Sequence, residues 1–190
     1  MSIDHVSKYK FNIGNSVLYG TDTITTAKKI GDLKDVFQNE AERSTMNQES
    51  IVYSVSLLQP VKAGTIGGLF IGTTIIEQGQ VDKEYYMTKG HFHQNTSSSE
   101  FYWGTQGSGM VLMMKPDRSF HIEHMSPGSI HFIPAETAHR VINTGNEKLI
   151  FNACWPADAG YDYDTIHNEG FSCRIFNLNG IPTIIERNKK

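Results

Sequence analysis

The chain of 190 residues has only two cysteines, Cys154 and Cys173, far apart and in no Cys-x-x-Cys pattern. That excludes a disulfide framework and reads as reduced thiols in a cytoplasmic protein. There is no surplus of basic charge: 17 Lys and Arg stand against 20 Asp and Glu, for a net charge of -3. Without that surplus there is no electrostatic case for nucleic acid as a partner. Long apolar runs are missing too. The longest apolar-leaning stretch, 67–76, falls far short of the roughly 20 residues a membrane-spanning helix needs, so no membrane partner is expected. The first residues carry His5, Lys8 and Lys10 among polar neighbours, with no apolar core or cleavage signal of a secretory leader. Neither a Walker loop nor a Gly-x-Gly-x-x-Gly element is present to cradle a phosphate, and no repeat or linker divides the chain. One domain over 1–190 is expected, with a barrel core at about 51–176 and an N-terminal arm at 1–50. The tails 1–10 and 188–190 are expected to be dispensable for chemistry.

What the chain does contain, from residue 51 onward, is a recurrence of short runs rich in Val, Ile, Phe, Tyr and Thr. They fall at 51–58, 68–76, 83–89, 100–105, 110–115, 119–124, 129–133, 139–143, 148–154, 171–176 and 183–186. Turn signals separate them, among them Pro116-Asp117, Pro127-Gly128 and Gly145-Asn146. Ile51, Tyr53, Val55 and Leu57 share one face at the strand period of two. So many short strands indicate an all-β sandwich or barrel. Helical spacing of Leu33, Val36, Phe37 and Ala41 behind Asp32 predicts one helix over 32–41, followed by a polar loop to residue 50. A second, short helix is expected at 163–169, stopped by Gly170.

Eight histidines stand at positions 5, 91, 93, 121, 124, 131, 139 and 167. A lone strand histidine is ordinarily a surface or satisfied core residue. The pair His91-Phe92-His93 differs, because residues i and i+2 of a strand point to the same side. Glu100 opens the next run, and the polar stretch 96–99 can return it beside the histidines. His139 lies beyond Gly128 and Pro134 and precedes Asn143. Three imidazoles and a carboxylate form a mixed N/O shell suited to Fe(II), Mn, Ni, Zn or Co. His121, His124 and His131 have no partner at ligand spacing and are expected to stay away from that site.

His91-x-His93, Glu100 and Gly107, then Gly128, Pro134, His139 and Asn143, resemble the two motifs of the cupins, which are small double-stranded β-barrels. Two features depart from the usual pattern: six residues separate His93 from Glu100, and Glu136 stands where Gly is common. A longer run narrows the resemblance. Residues 85–93, Tyr-Tyr-Met-Thr-Lys-Gly-His-Phe-His, with 100–102, 107–109, 134–140 and Pro156-Ala-Asp-Ala-Gly160, look like the cupin-type phosphoglucose isomerases. The resemblance continues through Asp162-Tyr163 to Thr165-Ile166 and covers most of 51–176.

It implies a jelly-roll-like cupin barrel with a short N-terminal helical or extended segment. It implies a metal-dependent aldose–ketose isomerase of glycolysis and gluconeogenesis, interconverting glucose 6-phosphate and fructose 6-phosphate by a cis-enediol or a hydride shift. The implied metal ligands are His91, His93, Glu100 and His139, with Fe(II) placed first among the metals. Glu100 is the implied base, with Tyr102 beside it on the same strand face. The sugar phosphate is expected against Tyr53, Thr74, Thr88, Gly90 and Tyr163, while alternation points Lys89 away from Thr88. A cytoplasmic homodimer is also implied. Three positions depart from the family pattern: Trp155 stands for Tyr before Pro156, Tyr161 for His after Gly160, and Gln78 for Pro before Gly79. Because Trp155 and Tyr161 touch the sugar side, an isomerase favouring mannose 6-phosphate is one alternative. A sugar-phosphate sensor without turnover is another.

Overall fold

A computed structural model describes residues 9–12, 14–20 and 23–187. Most of the tails 1–10 and 188–190 therefore lies outside the described residues. Strands β1 (Tyr9–Asn12) and β2 (Val17–Gly20) form a hairpin, and β3 (Thr23–Lys29) follows. A single 3-10 turn (Ile30–Leu33) and helix α1 (Glu40–Thr45) lead into β4 (Ile51–Leu58) and β5 (Leu69–Ile76). Next come the two-residue strands β6 (Gln80–Val81) and β7 (Glu84–Tyr85), then β8 (Glu100–Gln106), β9 (Gly109–Met114) and β10 (Phe120–Met125). The chain continues with β11 (Ile130–Ile133), β12 (Ala138–Asn143), β13 (Leu149–Pro156), helix α2 (Asp164–Glu169), β14 (Cys173–Leu178) and β15 (Ile181–Glu186). No helix among the described residues is long and apolar enough to cross a membrane.

All strand pairs are antiparallel. One sheet runs β11-β8-β13-β5-β4-β3, a second β10-β9-β12, and a third β15-β14-β7-β6. Isolated bridges from Met87 to Ile142 and from His91 to His139 lay the segment after β7 along β12. The sheets thereby close into the double-stranded β-barrel expected, and among the described residues two short α-helices lie outside it. A continuous apolar core fills it, including Val52, Ile76, Met87, Leu112, Val141, Leu149 and Ile175. Burying a residue of this kind contributes about 1.5–3 kcal/mol.

The expected N-terminal boundary moves. β3 pairs with β4 along its whole length, so the sheet begins at Thr23, and β15 carries the strands on to Glu186. The expected helix over 32–41 is not formed. Asp32 accepts from the Lys29 N–H at 2.9 Å within the 3-10 turn, and Asp35 takes φ = 63°, which no right-handed helix continues. Leu33, Val36 and Phe37 are buried all the same, through the turn rather than a helix face. The helix starts only at Glu40 and runs on into the expected loop, and the Asn39 side chain accepts from the Glu42 N–H at 3.0 Å.

Candidate metal centre and substrate cavity

Alternation along four neighbouring strands of the large sheet builds one wall of the site. Tyr53, Val55 and Leu57 of β4, Thr74 of β5, Phe151, Ala153 and Trp155 of β13, and Glu100 and Tyr102 of β8 all line one cavity of about 270 Å³. Each set is spaced by two, the strand period. Ile51 leaves this face and is exposed, next to a register shift between Lys28 and Lys29. The opposite wall is His139 of β12 with the 88–91 segment. The His91 and His139 backbones exchange hydrogen bonds of 3.1 and 3.3 Å, which hold the two rings side by side.

The donor atoms of His91, His93, Glu100 and His139 lie within 4.8 Å of one another. Nε2 of each imidazole and Oε1 of Glu100 are buried without a hydrogen-bond partner. His139 Nε2 stands 2.5 Å and His93 Nε2 3.5 Å from that oxygen. The opposite ring nitrogens fix the tautomers. His93 Nδ1 lies 3.1 Å from the Ser98 carbonyl and His139 Nδ1 3.0 Å from the Thr137 carbonyl. A carbonyl only accepts, so both Nδ1 atoms carry the proton and both Nε2 lone pairs turn inward. Buried lone pairs facing one another are costly unless a cation sits among them. The donor set therefore fits a divalent transition metal.

Charge in the cluster is shared unevenly. Burial, followed by the neighbouring His139, holds His91 well below the usual imidazole value. Burial alone would raise Glu100, but His139 and His93 outweigh it and keep the carboxyl well below the ordinary carboxylate range. Burial, the largest single effect, lowers His93, but the adjacent Glu100 carboxylate and the Ser98 carbonyl together raise it by more. Tyr102 is pushed well above the phenol range, first by burial and then by the Glu100 charge, so it stays a protonated donor.

Tyr53, Thr74, Thr88, Gly90 and Tyr163 line the same cavity as Glu100. Of the residues picked out in the sequence only His93 lies off this wall, lining a neighbouring open groove instead. Gly90 has φ = 74°, and a Cβ there would come 2.7 Å from the Phe171 ring. That left-handed turn breaks strand alternation, so Lys89 does not point away: it lines the same cavity as Thr88, its Nζ 4.7 Å from the Tyr163 ring centroid. The positive φ that a glycine permits was the signal for it.

A glucose-6-phosphate isomerase family model matches residues 27–189. The glucose-6-phosphate isomerases of Thermococcus kodakarensis and Thermococcus litoralis are each 36% identical to it, over 94% and 96% of the chain and 96% and 98% of their own lengths. The chain belongs to the glucose-6-phosphate isomerase family. The family also reaches bacteria, with the glucose-6-phosphate isomerase of Sinorhizobium medicae 35% identical over 75% of this chain and 67% of its own. Among solved structures, oxalate decarboxylase from Bacillus subtilis aligns with a TM-score of 0.45 at 19% identity, over 57% of this chain and 26% of that one.

Two of the three positions where this family member departs from the pattern, Trp155 and Tyr161, sit on the cavity wall, and Gln78 does not. Trp155 packs edge-on against Phe70, while Tyr161 stacks on Tyr163 and meets the His91 ring at 4.9 Å between centroids. The remaining histidines among the described residues stay outside. His131 is tied to Glu123 at 2.6 Å and Ser129 at 2.9 Å, and His124 to Ser108 at 3.0 Å. His121 reaches only Glu123, at 3.4 Å.

Proposed function

We infer that the chain is a metal-dependent isomerase that interconverts glucose 6-phosphate and fructose 6-phosphate. The observation that carries this is the convergence of three partnerless Nε2 atoms and the Glu100 oxygen at a cavity lined with hydroxyl groups. His91, His93, Glu100 and His139 would hold the metal, Fe(II) first among Fe, Mn, Ni, Zn and Co. When bound there, the ion supplies a Lewis acid for two adjacent sugar oxygens and a fixed point for the open chain.

The protein's own groups divide the remaining work. A phosphate dianion needs several donors. Thr74, Thr88, the Gly90 N–H and the Tyr53 and Tyr163 hydroxyls supply them at one end of the cavity, and Lys89 adds a positive charge. With the phosphate anchored there, C1 and C2 fall toward Glu100. Ionised Glu100 is the acceptor for the proton that moves between those carbons by way of a cis-enediol. Protonated Tyr102 hydrogen-bonds to it, steadies the carboxylate and faces the sugar oxygens. Positioning of this kind supplies several kcal/mol of barrier reduction. A direct hydride shift uses the same placement without protonating Glu100.

We propose one domain, a cytoplasmic setting in glycolysis and gluconeogenesis, and a homodimer. Exposed Phe101, Ile130 and Phe132 on neighbouring strands support the last. The test is turnover of fructose 6-phosphate and mannose 6-phosphate by chelator-stripped protein, restored with each metal separately. Activity on fructose 6-phosphate that vanishes with the chelator and returns with a metal is expected. Metal binding without turnover of either sugar would overturn the catalytic reading in favour of a sensor.

A further inference from the structure

Behind the 88–91 segment lies a second cavity, of about 100 Å³, which shares only Lys89 with the first. Its wall carries the cations Lys89, Arg140, Arg174 and Arg187 and two carboxylates, Asp35 and Glu169. The Glu169 carboxylate is held at 3.1 Å by Arg118, which is not part of the wall. Arg174 is paired with buried Glu84 at 2.6 Å. Among the described residues neither Arg140 nor Arg187 is paired with any carboxylate.

Arg140 is only 6% exposed. Its Nη atoms donate to the Met87 sulfur at 2.9 Å and the Lys89 carbonyl at 2.5 Å, its guanidinium lies 4.2 Å from the Phe171 ring centroid, and its buried Nε has no partner. A buried guanidinium without a counter-ion is costly, and a ring face offsets that only in part. Arg187 is exposed, and among the described residues its side chain makes one hydrogen bond, 3.3 Å to the Glu169 carbonyl. It reaches the wall over Gly170, where a Cβ would stand 2.1 Å from its Nη1. The bare glycine is thus a cradle for the guanidinium.

We propose that this cavity is an anion site, separate from the sugar cavity, that takes one phosphoryl-type oxyanion. The ligand is inorganic phosphate, or the phosphoryl end of a larger phosphorylated metabolite whose remainder leaves past exposed Arg187. A guanidinium fork matches two oxygens of such a group, and the anion gives Arg140 the counter-ion the fold withholds. Arg140 also holds the Lys89 carbonyl, two residues before His91, so an occupied site steadies the segment that presents the histidine pair.

The test is calorimetric titration of the metal-loaded full chain with inorganic phosphate and, in a second arm, pyrophosphate. Arg187→Gln is expected to weaken binding at least tenfold while leaving kcat/KM in phosphate-free buffer within twofold. Thr74→Val, which alters the sugar cavity alone, is expected to retain that binding. Pyrophosphate binding more tightly than phosphate identifies a phosphoryl end as the ligand, and the reverse order identifies free phosphate. Phosphate binding that is unchanged in Arg187→Gln, or abolished by Thr74→Val, would overturn the proposal. Neither result depends on whether the first cavity turns over sugar.

Discussion

Glu100 and Tyr102 stand two residues apart on β8, and the chemistry assigned to them is separable. Glu100→Gln keeps the shape and one oxygen donor but removes the charge and the base. With metal content quantified in the same samples, kcat is expected to fall by about 10²–10⁴-fold, the usual contribution of a positioned base. Undiminished turnover with the metal still bound would sink the assignment. Tyr102→Phe removes only a hydroxyl. Its ring lies 5.0 Å from that of Phe151 and 5.7 Å from that of His139, so the packing survives. A hydrogen bond to a charged group contributes about 1.5–3 kcal/mol. The expected result is a loss of roughly 10–100-fold in kcat with the melting temperature nearly unmoved. A collapse in melting temperature with kcat intact would make Tyr102 a core residue and nothing more.

The elements that hold these side chains are the barrel strands and the irregular 86–91 segment, and that segment is where the fold is most exposed to a single change. Gly90→Ala forces a left-handed φ on a residue with a Cβ and drives that carbon to 2.7 Å from Phe171 and 3.0 Å from Arg140 Cβ. Strain and clash together are worth about 3 kcal/mol, roughly 6–12 °C in melting temperature for a chain this size, and activity is expected to fall with the displaced His91. Asn143 closes the same barrel end. Its side-chain amide donates toward the Ile76, Glu77 and Glu147 carbonyls at 3.1, 3.2 and 2.8 Å, and its Oδ1 accepts from Gly145 at 3.1 Å. Asn143→Ala strands those buried groups, so a loss of about 2–4 kcal/mol in denaturant unfolding is expected. These elements differ in how plainly the sequence announces them. β4 was legible to the residue, because Tyr53, Val55 and Leu57 alternate into a cavity. β3 was not: its residues are largely exposed Thr and Lys on a sheet edge, and no buried face imposes a period. The helix expected over 32–41 had apolar spacing that a turn satisfies equally well, and only the positive φ of Asp35 tells them apart. The gathering of His91, His93, Glu100 and His139 into one cluster that could hold a metal was readable because each stands at or beside a strand. Lys89 was not, since strand logic fails one residue before Gly90.

At the scale of the whole molecule the candidate metal centre would act as a staple. The four residues that could hold the ion come from the 91–93 segment, β8 and β12, and β8 and β12 belong to different sheets. A ligand at about 1,000 times its Kd adds roughly 4 kcal/mol to stability. Chelation is therefore expected to lower the melting temperature by about 8–16 °C and leave a folded barrel, because the apolar core is continuous without the site. The metal-free chain should also respond to acid with a definite sign. His91 is held below the ordinary imidazole value of 6.5, so the unfolded chain takes up its proton first as pH falls. Its contribution is complete above that value and is lost as pH drops from 6.5 toward the lower folded value. Glu100, also lowered, adds a further loss in stronger acid, below its ordinary value of 4.5. His93 works the other way, because its raised value favours the folded state most below 6.5 and fades on the alkaline side. The three together predict that the melting temperature of stripped protein falls between pH 6.5 and 4, with Glu100→Gln removing the steepest, most acidic part. Metal binding needs neutral imidazoles and an ionised carboxylate, so the stabilisation gained on adding metal must shrink over the same interval. Melting curves of stripped and loaded protein at matched pH would then converge in acid. Curves that stay parallel down to pH 4 would mean that the ion is held by groups other than these four.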